Sequence, residues 1–418
     1  MRRLVEAALP ARLGTNFRWL VGSSWASNLG DGILVAAGPL LVDSLTDDAA
    51  LVGLSWLLGR LPWMLLGLQA GVAADRLERR RLLIVSNLIR LVVVAVLGAA
   101  IATDSVGVAP VLVALFLIGL SETFVDTTAT TLLPMIVPTR ELTRANSRLM
   151  FGAVGLNQLI GPALGAALFT VGAGAPFLTH AAVILLATVQ VARLRITPRS
   201  AEERAATKRS VRRDIADGFR WVRGHDAVRT LVLTILAFNV SYGASASILV
   251  VIATERLGLD AVGFGLLTSI AAAGGILGTL VYGVTESRFG MANIMRIGLT
   301  VETLWHVVFA VSTTAWPAMV AMFLFGVHTS MWGTTSGSIR QASVPEHLQG
   351  RVASVYRFAL QGGLIVGAAA GAVLAGIDIT APYWFGFVVS GLVLVAFWPR
   401  FSAIARTPEM AGGGPTPT

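Results

Sequence analysis

Long apolar runs alternate with short polar turns along most of this chain. A helix that crosses a bilayer needs about 20 mostly apolar residues, and many segments of the sequence reach that length. We predict twelve transmembrane helices, numbered as spans 1 to 12, at 18–42, 51–74, 82–102, 108–133, 146–171, 176–194, 228–252, 261–284, 292–312, 316–339, 353–376 and 381–399. The pattern therefore predicts an all-α, multi-pass membrane protein.

The longest polar stretch lies between spans 6 and 7 and divides the spans into two groups of six. We predict an N-terminal six-helix bundle at 1–194, a cytoplasmic linker at 195–226, a C-terminal six-helix bundle at 227–400 and a disordered cytoplasmic tail at 401–418. Within the linker, one helical face would carry Val211, Ile215, Phe219 and Val222. This segment is either a surface-bound amphipathic helix or part of a solvated linker.

Composition and charge agree with a membrane protein. Of the 418 residues, 55% are hydrophobic and 13% are charged, against about 25% charged in soluble domains. Basic residues concentrate at both termini and in alternate turns, and Arg256 is the only one in an opposite turn. The positive-inside rule then places both termini in the cytoplasm. The short basic segment 1–18 leads directly into span 1, which we expect to act as an uncleaved start.

Several function classes are disfavoured by the same residues. The net charge of +9 follows from the topology, so we expect no nucleic-acid partner. All basic residues except Lys208 are arginine, which is typical of a GC-rich bacterial genome and favours a bacterial inner membrane. The chain has no cysteine, so thiolate metal sites are excluded, and the five histidines show no metal-ligand spacing. We expect no cofactor, no nucleotide-binding loop and no enzymatic constellation.

The two halves of the chain repeat one another in order. Ala26-Ser-Asn28-Leu-Gly-Asp31-Gly32 matches Ala237-Phe-Asn239-Val-Ser-Tyr242-Gly243, Gly71 and Asp75-Arg76 match Gly283 and Ser287-Arg288, Thr127-Thr128 matches Thr334-Thr335, and Val137-Pro138 with Arg144 matches Val344-Pro345 with Arg351. In the second copy Asp31 is replaced by Tyr242 and Asp75 by Ser287. The chemistry is therefore expected to depend mainly on the N-terminal half.

The turn between spans 2 and 3 carries Gly71, Asp75, Arg76, Arg79 and Arg80. A glycine lets a neighbouring helix approach, the aspartate can cap that helix, and the arginines stay in cytoplasmic water. An ordinary positive-inside loop is the alternative interpretation. The spacing G-x-x-x-D-R-x-x-R-R resembles the signature between helices 2 and 3 of the major facilitator superfamily of secondary transporters. The resemblance implies a cytoplasmic gate that braces helix 2 against helix 11.

Other stretches resemble one branch of this superfamily, which includes the enterobactin exporter and macrolide efflux proteins. They are Leu133-Pro-Met-Ile-Val-Pro138 with Leu142 and Ala145-Asn146, Val344-Pro345-Glu346 with Gly350-Arg351, Asn28-Leu-Gly-Asp31-Gly32, and Arg60-Leu-Pro62. The resemblance implies two six-helix halves related by a pseudo-two-fold axis, a central cavity lined by helices 1, 4, 7 and 10, and a monomer. Superfamily carriers bind substrate near the bilayer midplane between their halves.

Span 5 carries Gly152, Gly161, Pro162 and Gly165. The pattern resembles the Gly-Pro signature of antiporters in this superfamily, which implies export coupled to proton entry. The match is partial, because the family's earlier glycine falls on Asn157 and its last glycine on Ala166. The alternative is structural: Gly161 and Gly165 form a small-residue packing face and Pro162 a kink. Both interpretations can hold together.

Six charged residues fall well inside spans, away from the span ends: Asp31, Arg60, Arg90, Glu122, Asp126 and Glu302. A charge at the bilayer centre costs about 2.5–3.5 kcal/mol on insertion scales, so such residues are functional candidates. Asp31 shares a helix face with Ser24 and Asn28, and the resemblance places that face toward the cavity. We expect Asp31 to take up and release a proton. The alternative is a permanent ion pair between Asp31 and Arg60.

Glu122 and Asp126 lie one turn apart in span 4. Two neighbouring carboxylates in a low-dielectric site are not expected to ionise together, so they can carry a proton or bind a cationic substrate. The alternative is a gate latch in which they pair with Arg90 or with loop arginines. Arg90 itself is expected to snorkel to the headgroups.

Further polar residues are expected to line the substrate cavity. They are Asn28, Arg60, Asn157, Gln158, Asn239, Tyr242, His328 and Trp332, with Gln361 as an additional contact. Each is equally a candidate for interhelical hydrogen bonding or packing. Glu302 and His306, one turn apart in span 9, form either a protonatable couple or a structural pair.

The sequence therefore predicts a proton-coupled secondary exporter that works by alternating access and expels an amphipathic drug or siderophore across the lipid bilayer. Two alternatives remain open. One is an importer or a lipid flippase on the same fold. The other is a non-transporting sensor or scaffold, against which the costly intramembrane carboxylates argue.

Overall fold

The computed structural model describes residues 10–103, 105–195 and 211–405. Every regular element in these ranges is a helix. The main helices are α1 Thr15–Leu45, α2 Ala49–Arg76, α3 Arg79–Ala102, α4 Val108–Ile136, α5 with its consecutive segments Leu142–Met150, Phe151–Ile160 and Gly161–Val171, α6 Ala175–Ala192, α7 Val211–Gly224, α8 Asp226–Ala246, α9 Ala261–Val311, α10 Ala315–Ser343, α11 Gln349–Ala375 and α12 Ala381–Phe397.

Most of these helices suit a bilayer. Within the described ranges, nine helical segments are long and apolar enough to cross a membrane, and α12 is a shorter apolar helix. α10 is long enough, but the Thr and Ser residues of its second half make it less apolar. Apolar side chains such as Val96, Val284 and Val395 are 63%, 73% and 76% exposed. Such exposed apolar surface fits contact with lipid, and the predicted all-helical membrane protein is confirmed at this level.

Two predicted spans join in α9, which contains one break. Gly290 has φ 72° and ψ 158° in an otherwise continuous helical run. A positive φ is open to glycine at little cost, so this glycine supplies the sharp turn expected between spans 8 and 9. α5 is interrupted differently, because its middle segment Phe151–Ile160 is π-helical. π-Helical turns inside α-helices often occur at functional sites.

The Val-Pro turns of the two sequence repeats have the same local conformation. Val137 and Val344 end their helices in an extended conformation, with φ −118° and −99°. The prolines that follow begin the short 3-10 helices Thr139–Glu141 and Glu346–Leu348. Proline fixes φ near −65° and cannot continue a helix. The repeated sequence therefore dictates a repeated helix-turn-helix connection.

The described residues separate into two compact units. Unit 1 takes its residues from Met1–Asp47, Ser55–Lys208 and Asp260–Ser269, and unit 2 from Asp48–Leu54, Arg209–Leu259 and Ile270–Thr418. Each unit has its own hydrophobic core, one around Phe17 and Leu132 and the other around Val228 and Phe401.

In unit 1, α1 and α5 pack backbone against backbone through glycine. A Cβ on Gly161 would lie 2.5 Å from the Cα of Gly32, and a Cβ on Gly165 would overlap the carbonyl oxygen of Ile33. No larger residue fits at these positions without displacing one helix. The small-residue packing face predicted for span 5 is therefore present.

In unit 2, α8 and α11 use the same device. A Cβ on Gly363, Gly367 or Gly371 would overlap carbonyl oxygens of α8. These glycines are four residues apart and form one stripe along α11. Close small-residue contacts of this kind drive helix association in membranes, where burial of apolar surface contributes little.

The linker helix α7 is docked on unit 2. Gly218 approaches the backbone of Arg351, and Asp217 accepts a hydrogen bond from Arg351 at 3.3 Å. Val222 is buried, whereas Phe219 is 61% exposed. The two residues of the predicted apolar face therefore differ, since one is buried in unit 2 and the other is exposed. The side chains of Val211 and Ile215 lie outside the described residues.

The end of the chain corrects one predicted boundary. Phe401 and Ile404 are buried in the core of unit 2. The predicted boundary at 400 is therefore wrong, because these apolar side chains extend the packed core past α12. Residues from 406 lie outside the described ranges.

Candidate functional site

A buried ion pair connects α1 and α3 in unit 1. Arg90 donates one hydrogen bond to Oδ1 of Asp31 at 2.6 Å and a second to Oγ of Ser27 at 2.6 Å. Ser27 and Asp31 are one turn apart on α1 and share a face. Arg90 is 0% exposed and Asp31 is 7% exposed. The guanidinium group therefore holds two side chains of α1 in one charge-assisted network.

This pairing corrects two sequence predictions. The alternative role considered for Asp31 was a permanent ion pair with Arg60, but the guanidinium of Arg60 lies 3.7 Å from the ring centre of Trp56, one turn away on the same helix. Cation–π stacking stabilises it there. The expectation that Arg90 snorkels to the headgroups is wrong, because its side chain is enclosed and paired with Asp31.

The predicted face of α1 is also divided. Asn28 is half-buried and donates a hydrogen bond to the carbonyl oxygen of Ser24 at 2.8 Å. Asp31 instead lies toward Ser27, inside unit 1. The sequence did not determine whether Asp31 points toward a cavity or toward the interior of unit 1. The hydrogen bond from Arg90 holds it toward the interior.

His180 on α6 completes the polar cluster and was not predicted from the sequence. Its Nε2 lies 3.8 Å from Oδ1 of Asp31, and neither ring nitrogen has a hydrogen-bond partner among the described residues. Nε of Arg90 and Oδ1 of Asn87 are likewise buried without a partner in the described ranges. Buried polar atoms are normally satisfied, so this cluster retains hydrogen-bonding capacity for a water molecule or a moving proton.

The two carboxylates of α4 stand in contrast to Asp31. Glu122 and Asp126 are half-buried, and neither makes a hydrogen bond or an ion pair with a described residue. Glu122 interacts electrostatically with Arg60 and Arg90, and Asp126 interacts with Arg90 and Asp31. The proposed latch between these acids and Arg90 is wrong for this structure, since the hydrogen bonds of Arg90 go to α1.

Glycine positions α2 beside α4 at this point. A Cβ on Gly119 would overlap the carbonyl oxygen of Gly59. Arg60 follows Gly59, and Glu122 is about one turn beyond Gly119. The close backbone approach thus brings the charge of Arg60 near Glu122. Three carboxylates and two guanidinium groups, on four helices of unit 1, form one charged cluster: Asp31, Glu122, Asp126, Arg60 and Arg90.

Unit 2 contains a second buried polar cluster. Nε2 of His328 on α10 lies 2.8 Å from Oε2 of Glu302 on α9. His306 instead bonds to Ser245 of α8, with Nδ1 and Oγ 3.0 Å apart. The predicted couple of Glu302 and His306 is therefore wrong. His328 is only 5% exposed, and its predicted place in the substrate cavity stays a prediction.

Aromatic side chains surround the second cluster. Tyr242, the repeat counterpart of Asp31, stacks on Phe325 with ring centres 5.0 Å apart, and Trp305 contacts both rings. Trp332 is buried and donates a hydrogen bond to the hydroxyl of Tyr356 at 3.3 Å. Trp332 thus packs inside unit 2 in this structure, and its predicted place in the cavity stays a prediction.

The remaining predicted cavity residues keep some exposure. Asn157, Asn239 and Gln361 are half-buried and Gln158 is exposed. Asn239 donates a hydrogen bond to the carbonyl oxygen of Ile235 at 2.7 Å. Within the described ranges, no group of three or more His, Asp or Glu is arranged to hold a metal ion.

The charged turn between α2 and α3 is tied to two other helices of unit 1. Arg79 pairs with Asp75 at 3.6 Å and donates a hydrogen bond to the carbonyl oxygen of Thr131 on α4. Arg80 donates a hydrogen bond to the carbonyl oxygen of Ala192 at the end of α6. Asp75 and Arg76 lie at the end of α2, and Gly71 is half-buried. The turn therefore holds the ends of α4 and α6 together on one side of the unit.

This fold and its intramembrane charges define a multi-pass membrane transporter. The family model for transmembrane secretion effectors, MFS_3, matches residues 8–404. The chain belongs to this family, within the major facilitator superfamily, and the predicted resemblance is confirmed. As members of that superfamily are transporters, the protein is not an enzyme.

Known proteins with export functions are similar to the chain along most of its length. It is 28% identical to the multidrug efflux pump Tap of Mycolicibacterium fortuitum over 341 residues, covering 78% of this chain and 81% of that protein. It is 24% identical to the enterobactin exporter EntS of Salmonella choleraesuis over 411 residues, covering 95% and 96%.

Solved transporter structures share the fold. A bacterial homologue of the iron transporter ferroportin, in its inward-facing state, matches with a TM-score of 0.73 at 16% identity, covering 93% of this chain and 98% of that one. The nucleoside transporter NupG matches with a TM-score of 0.71 at 12% identity, covering 94% and 99%. At these identities the likeness concerns the fold.

Proposed function

We propose that this protein is a proton-coupled exporter of the bacterial inner membrane, with both termini in the cytoplasm. It works as a monomer by alternating access of two six-helix halves, twelve helices in all, related by a pseudo-two-fold axis. Its cargo is an amphipathic small molecule, a drug or a siderophore. The export functions named for Tap and EntS support this direction of transport.

The charge balance of unit 1 is the observation that carries the proposal. When all three acids are ionised, Asp31, Glu122 and Asp126 outnumber the two arginines Arg60 and Arg90 by one charge. A net charge in a low-dielectric site is costly. The cluster therefore tends to hold either one proton or one positive charge of a substrate, and exchange of these two is the elementary act of an antiporter.

The hydrogen bonds assign different roles to the three acids. Arginine stays protonated in proteins, so a proton on Asp31 would leave the buried guanidinium of Arg90 without its counter-ion. Breaking a buried pair in this way costs about 3–5 kcal/mol. The proton therefore enters at Glu122 or Asp126, and Asp31 takes part through Arg90, which it positions against the α4 acids.

Other predicted residues take supporting roles. The half-buried or exposed polar residues contact substrate: Asn28, Asn157, Gln158, Asn239 and Tyr242. The turn of Gly71, Asp75, Arg76, Arg79 and Arg80 is a gate whose movement is transmitted to α4 and α6 through Arg79 and Arg80. Gly161, Pro162 and Gly165 hold α5 in contact with α1. A movement of α5 therefore also moves the segment of α1 that carries Asp31.

The proposal is tested by substrate-triggered proton release in proteoliposomes. An internal pH dye reports release when ethidium, tetracycline or enterobactin is added against an imposed pH gradient. Wild type is expected to release protons with at least one compound. Asp126→Asn combined with Glu122→Gln is expected to abolish proton release. The only acid left in the cluster is then Asp31, which is paired with Arg90.

The matched control is Asp47→Asn, which removes an exposed carboxylate just beyond α1 and is expected to behave as wild type. Transport of a compound without proton movement would contradict antiport and favour a uniporter or a flippase. Full proton release by the double variant would remove the α4 acids from the coupling role.

A further inference from the structure

We propose that Glu302 and His328 form a second proton site, located in unit 2 and separate from the acids of unit 1. The inference rests on the proposed proton-coupled export and extends it, because it predicts two protons moved per transport cycle instead of one.

The geometry of the pair is that of a built site. Glu302 lies on α9 and His328 on α10, and Oε2 and Nε2 are 2.8 Å apart. The residues are 7% and 5% exposed. Gly298, one turn before Glu302, makes room for the imidazole, since a Cβ there would overlap Nδ1 of His328. Any side chain at 298 would displace the histidine from the carboxylate.

Among the described residues of unit 2, no permanent charge competes for this pair. Arg296 on α9 binds the carbonyl oxygen of Trp398 and the hydroxyl of Ser402. Arg340 on α10 stacks on Tyr356, and Arg229 at the start of α8 pairs with Asp226. The charge that acts on Glu302 is that of His328.

Three other titratable groups are connected to the pair through the rings of Phe325 and Trp305: Tyr242 on α8, His306 on α9 and Tyr383 on α12. Tyr242 lies in an aromatic stack with Phe325, and Tyr383 stacks on Phe309. His306 bonds to Ser245. None of the three is a carboxylate or a permanent cation, so the charge state of the site is decided by Glu302 and His328.

Such a pair binds one proton tightly and releases it only after a change in the surroundings of the pair. With one shared proton the pair is neutral overall, either as carboxylate and imidazolium or as acid and imidazole. Loss of that proton leaves a buried carboxylate without a cation, and gain of another leaves a buried imidazolium without an anion. Both states are costly in a dry interior. The proton therefore leaves only when α9 and α10 open the pair to water, which couples its release to conformational change.

The test is the number of protons exchanged per transported cation in proteoliposomes, with ethidium as the probe and the membrane potential clamped at zero. The balance point is the ethidium gradient at which net flux stops against a given pH gradient. Two protons per ethidium hold about a hundredfold gradient per pH unit, and one proton holds about tenfold.

Glu302→Gln and His328→Gln each keep a hydrogen-bonding group in place while removing one titrating group. Both are expected to lower the balance gradient about tenfold per pH unit relative to wild type. His306→Asn is the matched control, since it removes a buried histidine from the same helix without touching the pair, and it is expected to keep the wild-type ratio.

A wild-type ratio in Glu302→Gln and His328→Gln, with both variants folded by thermal melting, would overturn the second site and leave the unit 1 proposal intact. A loss of all proton coupling in Glu122→Gln with Asp126→Asn, but no change in the unit 2 variants, would assign coupling to unit 1 alone. Ethidium transport by wild type without proton movement would overturn both proposals.

Discussion

The buried polar clusters of the two units are built with opposite charges at matching positions. Arg90 on α3 and Glu302 on α9 have the same sequence offset as the repeat pair Asp75 and Ser287. In unit 1 the cation Arg90 binds the anion Asp31 of α1. In unit 2 the anion Glu302 binds His328 of α10. One repeated position thus supplies a fixed charge in one unit and a titratable one in the other.

Contacts between a buried histidine and a glycine occur in both units, but on different helices. The Ala-Pro starts of α6 and α12, at Ala175 and Ala381, place His180 opposite Gly386. His180 packs on Gly30 of α1, whereas Gly386 is the surface on which His306 of α9 packs. In each unit a buried histidine therefore packs against a glycine, and the helix position that supplies the histidine in unit 1 supplies the glycine in unit 2.

The comparison shows which cluster can change its charge. In the proposed mechanism the Asp31–Arg90 pair keeps its charges, because arginine remains protonated, and proton uptake in unit 1 falls to the acids of α4. Glutamate and histidine both titrate, so the pair in unit 2 can exchange a proton by itself. We therefore propose that the two units contribute to proton coupling by different means.

The largest effect is expected from removal of Arg90. Arg90→Met leaves Asp31 buried without its cation and should destabilise the protein by about 3–5 kcal/mol. Thermal unfolding of the detergent-solubilised protein measures this. The double variant Arg90→Met with Asp31→Asn should recover much of the loss, because no uncompensated charge remains. Equal melting temperatures for Arg90→Met and wild type would show that the pair is not a stabilising contact.

A smaller effect is expected from the glycine faces that hold each unit together. Gly161→Val in unit 1 and Gly367→Val in unit 2 push a side chain into the backbone of the facing helix, and overpacking costs about 1–3 kcal/mol. The yield of monodisperse protein and its melting temperature measure the change. Gly333→Val on α10 is the control, since a Cβ there meets nothing within 4 Å. Similar losses in all three variants would contradict tight helix packing as the cause.

The smallest effect is expected at the loops before α6 and α12. The loop before α6 carries no acid, whereas Asp378 accepts hydrogen bonds from the backbone and side chain of Thr380. The side-chain hydrogen bond of Thr380 is the main reason that the pKa of Asp378 lies below its usual value. A lowered folded-state pKa contributes stability above the unfolded value, about 3.9, and this is lost as the pH falls through the folded value.

Wild type should therefore melt slightly above Asp378→Asn at neutral pH, and the difference should vanish in strong acid. Thermal melts at a series of pH values measure it. A difference that grew with acidification would mean that the sign of the interaction is reversed.

The sequence was sufficient for the helices, the repeat and the family, because apolar periodicity and turn residues determine these locally. The small-residue face of span 5 was predicted for the same reason. The partner of Asp31 was not predicted. The sequence of α1 does not determine whether a neighbouring helix places Arg60 or Arg90 beside Asp31. His180 was missed because a lone histidine in an apolar helix resembles a packing residue until its distance to Asp31 is known.

In the proposed mechanism the acids of α4, and not Asp31, take up the coupled proton. Infrared difference spectroscopy of reconstituted protein, recorded between acidic and alkaline pH, detects the carbonyl band of a newly protonated carboxyl group. We predict that this band persists in Asp31→Asn and weakens or disappears in Glu122→Gln with Asp126→Asn. A band that disappears in Asp31→Asn and persists in the α4 double variant would contradict it.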